Sequence, residues 1–129
     1  MKLNFTISEF LKSETTTKYG IDNIPHNNQV LDNILLLIVN VMQPLRDYVG
    51  KPIIITSGYR SIGLNTKVGG VPNSQHLKGQ ACDFVIQGMT IKEAIKAVKN
   101  SGLVFDQCIN EGTWVHISFN KNGNRKKFI

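Results

Sequence analysis

"SGYRSIGLNTKVGGVPNSQHLKGQACDF", residues 57–84, joins two apolar segments and is rich in Gly, Ser and Asn. That composition is typical of a solvent-exposed loop. The stretch nevertheless ends with His76 and Asp83 at the point where the chain becomes apolar again. The sequence therefore leaves two interpretations open, an ordinary surface loop or a loop whose conformation is fixed by a bound metal ion.

Apolar segments flank this stretch and recur near the end of the chain. We predict strands in "PIIITS" (52–57), "QACDFVI" (80–86), "LVFDQCIN" (103–110) and "TWVHISF" (113–119). Glu111 and Gly112 separate the last two segments, which is a hairpin signal and predicts an antiparallel pair.

Side chains alternate along a strand, and this alternation separates apolar from polar positions. In "QACDFVI" the side chains of Cys82, Phe84 and Ile86 share one face, so Asp83 points to the other. In "TWVHISF" the aliphatic residues share a face, and His116 points away from it. If the aliphatic faces line the core, Asp83 and His116 project to the same side of the sheet, with His76 seven residues before Asp83.

Two longer segments have helical patterns. Apolar residues at spacings of three and four predict a helix over residues 28–49, and we expect Pro44 to kink it because proline lacks an N–H. "TIKEAIKAVKNSG" (90–102) predicts a second helix, with Thr90 as N-cap and Glu93 completing a capping box.

The order of the elements predicts the fold class. "FTISEFLKSETTTKYG" (5–20) predicts one or two short helices with Ser8 as N-cap. Helices therefore come first, followed by strands with one helix between them. This order predicts an α+β fold in which helices pack on one face of a small, mainly antiparallel sheet. A chain of 129 residues is typical of one domain, so residues 1–129 are expected to form a single domain.

Charge and hydropathy restrict the partners. The net charge is +6, and part of the basic excess lies in "NKNGNRKKFI" (120–129), interpreted as a solvated tail or as a segment attracted to a polyanion. The basic residues are scattered without a nucleic-acid motif, so no nucleic-acid partner is expected. No apolar run approaches the roughly 18 residues of a spanning helix, so we expect no membrane insertion. We also expect a monomer.

The cysteines and the N-terminus bear on the compartment. Cys82 and Cys108 are expected to be reduced and buried rather than bridged. "MKLNFTISEF" (1–10) has no long apolar core and no small-residue cleavage site, so we predict no signal peptide and synthesis in the cytoplasm.

His76, Asp83 and His116 form a candidate metal site. Two imidazoles and one carboxylate are a common zinc ligand set, with water in the fourth position when the site is catalytic. A His in a Gly-rich loop is nevertheless usually a surface residue, and an Asp at a strand start is often a cap. Spacing alone leaves both possibilities open, whereas His26 in "IPHNNQ" is expected at the surface.

The motifs "SGYRS", "SQHLKGQACDF" and "WVHISF", in that order, resemble the zinc D-Ala-D-Ala peptidase family. That family includes D-Ala-D-Ala carboxypeptidases and phage endolysins, and Hedgehog domains share its fold. The resemblance covers nearly the whole chain and implies a Hedgehog/DD-peptidase-like fold. It also implies a zinc metallopeptidase that hydrolyses peptide bonds in peptidoglycan stem peptides by attack of zinc-bound water, as a D,D-carboxypeptidase or a cell-wall endopeptidase. Without a signal peptide, such an enzyme would need release to the cell wall, as in phages.

The resemblance also implies roles for individual residues. It makes His76, Asp83 and His116 the zinc ligands and places Arg60 beside the metal, where it holds a substrate carbonyl or the developing oxyanion. A structural salt bridge is the alternative for Arg60. Ser74 matches a family serine that hydrogen-bonds substrate, although a loop-stabilising serine turn is nearly as good an interpretation.

One departure from the family pattern concerns the general base. Many members have a Glu three residues before the last His, and this chain has Thr113 there. Glu111 in the hairpin and Asp106 on the preceding strand are the candidate replacements, and we favour Glu111. If neither carboxylate reaches the site, the domain becomes a non-catalytic, zinc-stabilised cell-wall binding module.

Two aromatic residues are candidates for substrate binding. Trp114 shares strand parity with His116 and can form the floor of a substrate groove, or it belongs to the core. Tyr59 directly precedes Arg60 and either contacts substrate or anchors its loop by packing.

Overall fold

The computed structural model describes residues 2–13 and 18–129 of the chain. The strands are β1 (Ile53–Ser57), β2 (Ala81–Ile86), β3 (Gln107–Asn110), β4 (Val115–Ser118) and β5 (Lys127–Phe128). The α-helices are α1 (Asn28–Leu37), α2 (Gln43–Val49), α3 (Ile62–Lys67) and α4 (Ile91–Ser101). Ile7–Phe10 and Gln75–Lys78 form 3-10 helices, and Ile38–Met42 is π-helical.

The strands form one sheet in the order β1-β2-β4-β3-β5. Three of the four pairings are antiparallel, and only β3 and β5 run parallel. The predicted α+β fold with a mainly antiparallel sheet is therefore confirmed. The register of β2 and β4 places Asp83 directly opposite His116, as strand parity requires for the two side chains to meet.

The hydrophobic core lies between the helices and the aliphatic face of the sheet. Phe84 of β2 and Ile117 of β4 are fully buried there, together with Leu37 from α1 and Val98 from α4. Cys82 and Cys108 are also buried and unbridged, as the sequence predicted. Other fully buried residues of the core are Phe10, Ile34, Met42, Leu45 and Phe105. Within the described residues, no helix combines the length and the apolar character needed to cross a bilayer.

The predicted helix over residues 28–49 forms with an internal irregularity. A π-helical segment lies directly before Pro44, and the Gln43 N–H donates to the Ile38 carbonyl five residues back. Proline has no N–H to continue the ordinary pattern, so a wider turn beside it accommodates the missing hydrogen bond. Gly50, in the left-handed conformation, ends the helical region.

Two expectations for the N-terminal segment have different outcomes. The 3-10 helix begins after Thr6, so Ser8 is not its N-cap and that prediction was wrong. The reason is the Glu9 carboxylate, which reaches back to accept from the Thr6 N–H at 2.9 Å. The rest of the predicted helical segment includes residues 14–17, which lie outside the described residues.

The C-terminal segment is not simply a solvated tail. Lys127 and Ile129 donate backbone N–H groups to Asp106 and Cys108, both at 2.9 Å, and so add β5 to the edge of β3. β3 itself is shorter than the predicted strand over 103–110. Cys108–Asn110 pair with β4 and Gln107 pairs with Lys127 of β5, whereas Leu103 and Phe105 turn into the core before the strand begins.

The stretch over residues 57–84 contains two short helices that its composition concealed. Ser61 caps α3 by accepting from the Leu64 N–H at 3.2 Å, and Ser74 caps the 3-10 helix by accepting from the His76 N–H at 3.2 Å. Its polar residues thus act partly as helix caps rather than as loop residues.

Gly58 allows this stretch to lie against the N-terminal segment. Tyr59 donates its backbone N–H to the Phe10 carbonyl at 2.7 Å, so the two backbones are in direct contact. A Cβ on Gly58 would lie 2.7 Å from the Phe10 Cα and would also overlap the Phe10 carbonyl oxygen. Only glycine fits at this approach.

We predict that Gly58→Ala lowers the free energy of unfolding by about 1–3 kcal/mol, because one of the two backbones must shift. Gly63→Ala is the matched control, since a Cβ there meets only the Ile21 side chain at an ordinary 3.6 Å. Because Gly63 lies in α3, its replacement should be neutral or stabilising by about 0.5–1 kcal/mol. Urea denaturation of both variants measures the difference, and equal effects would contradict the packing role of Gly58.

Candidate metal centre

The three predicted ligands converge at the polar face of the sheet. Asp83 and His116 face each other across β2 and β4, with Asp83 Oδ1 3.1 Å from His116 Nδ1. His76 approaches from the 3-10 helix before β2, and its Nε2 lies 3.3 Å from the same Asp83 oxygen. A single carboxylate oxygen thus lies within 3.3 Å of two ring nitrogens.

The orientation of His76 is fixed by its second ring nitrogen. Nδ1 lies 2.7 Å from the Gly58 carbonyl oxygen, which can only accept a hydrogen bond, so Nδ1 carries the proton. Nε2 then presents its lone pair toward Asp83 and His116. A backbone carbonyl that holds an imidazole in this way is the usual support of a metal-binding histidine.

The donor set fits a metal ion. The candidate ligand atoms of His76, Asp83 and His116 all lie within 4.8 Å of one another, and no other such group occurs among the residues with described positions. With Nδ1 donating to the Gly58 carbonyl, His76 Nε2 and the Asp83 carboxylate, 3.3 Å apart, can both offer lone pairs to a cation placed between them. Two ligands of a tetrahedral zinc ion at about 2.0–2.1 Å from the metal are about 3.3 Å apart, which matches this spacing.

Asp83 is ionised in this environment. Burial raises the pKa of its carboxyl, but interactions with the His116 and His76 rings outweigh burial and hold the pKa at about 2. The side chain is only 6% exposed, so the ionised carboxylate depends on these partners and on any bound cation for its stability in the folded protein.

Arg60 lies beside the ligands without a tight ion pair. Its guanidinium nitrogens are each 3.4 Å from their partners, namely the side chains of Asp83, Ser57 and Asn65. Burial lowers the pKa of Arg60, while the negative charges of Asp83 and Glu111 oppose that effect. The long contacts leave N–H donors directed into the site, as a role toward substrate requires.

These residues line one cavity of about 550 Å³, within the usual size range of ligand sites. Its lining includes Arg60, Ser74, Gln75, His76, Asp83, Gln107, Ile109, Glu111, Trp114, His116 and Arg125. The two halves of the predicted site, from the stretch over 57–84 and from the last hairpin, therefore face a common space.

The two candidate general bases, Glu111 and Asp106, differ in whether they line the cavity. Glu111 lies in the β3–β4 turn, which its N–H closes by donating to the Trp114 carbonyl at 3.1 Å, and its side chain lines the cavity. Asp106 is 4% exposed and does not line the cavity. Its two oxygens accept from Arg125 at 2.8 and 2.9 Å and from Gln75 at 3.1 Å. The geometry therefore brings Glu111, and not Asp106, to the cavity that the metal-ligand candidates also line.

The three candidate substrate-binding residues differ in position. Ser74 and Trp114 line the cavity; the Ser74 hydroxyl also caps the 3-10 helix, and Trp114 is 38% exposed rather than part of the core. Tyr59 is not in the cavity lining and packs against the core, while its carbonyl accepts from Asn23 Nδ2 at 2.9 Å. Its position corresponds to the packed anchor of the loop. His26 is exposed, lies outside the ligand cluster and is 3.6 Å from the Asp22 carboxylate.

Sequence reasoning missed two residues of the site. Asn65 is 4% exposed and accepts from the Arg60 guanidinium at 3.4 Å, although only its place beside the "SGYR" motif pointed to it. Arg125 lines the cavity from the C-terminal segment. No pattern in the sequence separates Arg125 from the neighbouring basic residues, because its position depends on the pairing of β5 with β3.

Two comparisons with known proteins agree with this geometry. Residues 3–118 match the model of the family described as Peptidase M15. A segment of 62 residues, 47% of this chain, is 36% identical to the zinc D-Ala-D-Ala carboxypeptidase of Streptomyces albus G. The match covers 24% of that protein, so the chain spans about a quarter of the length of this curated relative.

We predict that His116→Ala abolishes stoichiometric zinc binding, because it removes one of three ligand atoms; even outer-shell changes typically cost about 10–100-fold in metal affinity. His26→Ala is the matched control, since its ring is exposed and outside the cluster. Calorimetric titration of the metal-free proteins with zinc measures both, with circular dichroism to verify folding. Unchanged affinity in a folded His116→Ala protein would contradict the assignment.

Proposed function

Because this chain belongs to the peptidase M15 family, we propose that it is a zinc-dependent peptidase that hydrolyses peptide bonds in peptidoglycan stem peptides. The observation that carries the proposal is the shared cavity, in which three metal-ligating side chains, a guanidinium and a free carboxylate face the same space. Peptide hydrolysis needs these groups together: an electrophile, a stabiliser of negative charge and a proton carrier.

His76, Asp83 and His116 are the residues that would hold the zinc ion. When bound, zinc supplies polarisation of the scissile carbonyl and lowers the pKa of a coordinated water to about 7. The chain contributes the orientation of the ligands, since Gly58 fixes the His76 ring and the β2–β4 register fixes Asp83 against His116.

Glu111 is the proposed general base. Its carboxylate lines the cavity and accepts a proton from the attacking water, then donates that proton to the leaving amine. Its location in a turn between two paired strands gives it a fixed backbone and a side chain open to the cavity.

Arg60 is the proposed stabiliser of the oxygen that gains negative charge during attack. The guanidinium stays protonated at all relevant pH values and offers several donors in a fixed plane. Its side chain is 17% exposed, so its charge acts in a partly desolvated setting where such hydrogen bonds are stronger than in water.

The substrate and place of action follow from the same proposal. The relative from Streptomyces albus G, named a zinc D-Ala-D-Ala carboxypeptidase, supports a D-alanine-containing stem peptide as substrate. The proposal covers both a D,D-carboxypeptidase and a cell-wall endopeptidase. We propose action at the cell wall by a monomer, and a net charge of +6 favours association with an anionic wall.

A non-catalytic binding module is the second candidate function. Thr113 occupies the place of the family's usual base, which is the observation that favours it. The position of Glu111 in the cavity favours the peptidase instead, because it restores a carboxylate to the site.

We predict that the purified protein releases amino acids or peptides from isolated sacculi and that a chelator abolishes this activity, because the metal supplies the electrophile. Added zinc should restore it. Mass spectrometry of the soluble products measures the release and identifies the bond. Zinc-loaded, folded protein that releases nothing would favour the binding module.

We predict that Glu111→Gln lowers kcat about 10²–10⁴-fold, because the amide cannot accept the proton, while zinc stays bound at the wild-type ratio. Asp32→Asn is the matched control, an exposed carboxylate on α1 that lies outside the cavity. Steady-state kinetics on a stem-peptide fragment and metal analysis measure both properties. Full activity of the Glu111→Gln protein would show that another group carries the proton.

A further inference from the structure

Arg125 is held in the cavity by a buried carboxylate that has no place in the mechanism above. Its Nε and Nη2 donate to the two oxygens of Asp106 at 2.8 and 2.9 Å, and its backbone N–H donates to the same carboxylate at 3.1 Å. The Asp106 side chain is 6% exposed, whereas that of Arg125 is 59% exposed. A guanidinium that is held by a carboxylate on one edge and exposed on the other is already oriented to bind a second carboxylate.

The remaining donors of Arg125 are available to a ligand. A guanidinium has five N–H groups, and Asp106 uses two of them, so those of Nη1 and one of Nη2 stay free. No other contact of the Arg125 side chain is found among the described residues. Because Arg125 lines the same cavity as the metal centre, a bound peptide can reach these donors.

The strand order places Arg125 on the same part of the sheet as the metal-ligating residues. Arg125 precedes β5, which is two strands away from His116 on β4 in the sheet order. Neighbouring strands are about 4.8 Å apart and an extended peptide rises about 3.3 Å per residue. A group that Arg125 binds would therefore lie a few residues of extended peptide from the scissile bond.

The charges of the cavity favour an anionic ligand. Its lining carries the positive charges of Arg60 and Arg125 and the negative charges of Asp83 and Glu111, and Asp106 adds a third negative charge behind Arg125. A divalent ion at the three ligands makes the whole cavity positive. Neutral peptides gain nothing from this potential, whereas a peptide carboxylate does.

We propose that Arg125 is a specificity-determining residue that binds a free carboxylate of the peptide, a few residues from the scissile bond, with Asp106 positioning its guanidinium. The inference rests on the proposed peptidase function for its substrate class. It predicts that the protein discriminates between otherwise identical peptides that differ in one carboxylate and the corresponding amide.

The test uses three forms of one synthetic stem peptide, L-Ala-γ-D-Glu-L-Lys-D-Ala-D-Ala. One form is unmodified, one carries an amide in place of the D-Glu carboxylate, and one carries a C-terminal amide. Dissociation constants are measured by calorimetry with zinc-loaded Glu111→Gln protein, and kcat and KM with the protein carrying Glu111. The binding arm decides the role of Arg125 even if no peptide is cleaved, so failure of the proposed function is a separate result.

We expect one of the two amidated peptides to bind about tenfold more weakly than the unmodified peptide, as loss of a charge-assisted hydrogen bond at a partly exposed site predicts. Arg125→Gln should bind all three forms within about twofold of one another. The effect should appear in KM more than in kcat, because Arg125 lies away from the reacting atoms. Lys121→Gln, which removes the same charge from an exposed residue outside the cavity, should keep the discrimination.

Three results would overturn the proposal. The first is equal binding of all three peptides, or none, by protein with Arg125 present. The second is discrimination that survives in Arg125→Gln, which would assign the carboxylate to the metal or to Arg60. The third is an equal loss of affinity for all three peptides in Arg125→Gln, which would mean a purely structural role. In that case the melting temperature of Arg125→Lys, which keeps the charge but loses the planar guanidinium, measures how much the Asp106 pairing contributes to stability.

Discussion

The antiparallel register between β2 and β4 is the constraint on which the rest of the structure depends. It places Asp83 opposite His116 on one face of the sheet and directs Phe84 and Ile117 into the core on the other. A slip of β4 by one residue would turn His116 into the core and Ile117 out of it. Because burial of the aliphatic face forbids that slip, the hydrophobic core itself keeps two metal-ligating groups together.

The third ligand depends on a different part of the chain. On one side residues 58–60 contact the N-terminal segment, where the Tyr59 N–H donates to the Phe10 carbonyl. On the other side they contact the 3-10 helix Gln75–Lys78. There the Gly58 carbonyl accepts from the His76 ring, and the Arg60 N–H donates to the His76 carbonyl at 3.0 Å. This short segment therefore couples the packing of the N-terminus to the orientation of a ligand and of the guanidinium beside it.

The sequence predicted those parts of the molecule that depend on local periodicity. The capping box of Thr90 and Glu93, the strand containing Asp83 and the helical pattern before Pro44 all follow from spacing within one segment. Parity and a buried face also predicted that Asp83 and His116 project to the same side of the sheet, whereas the pairing of β2 with β4 that brings them together came from the structure. The two short helices within 57–84 were not, since Ser and Asn serve equally as caps and as loop residues.

The parts that could not be predicted depend on pairings between distant segments. β5 forms because the edge of β3 offers free backbone groups to whatever chain lies beside it, and side-chain patterns do not encode that choice. The positions of Arg125 and of Tyr59 are consequences of such packing. One places a guanidinium in the cavity, and the other withdraws an aromatic ring from it.

Strand geometry also accounts for the departure at position 113. Ile109 of β3 pairs with His116 of β4, so the two side chains lie on the same face of the sheet. Glu111 is two residues beyond Ile109 and keeps that parity, and its N–H continues the pairing by donating to the Trp114 carbonyl. The carboxylate can therefore reach the cavity from the β3 side of the turn. In this chain Glu111, in the turn directly after β3, brings a carboxylate to the cavity although position 113 is a Thr.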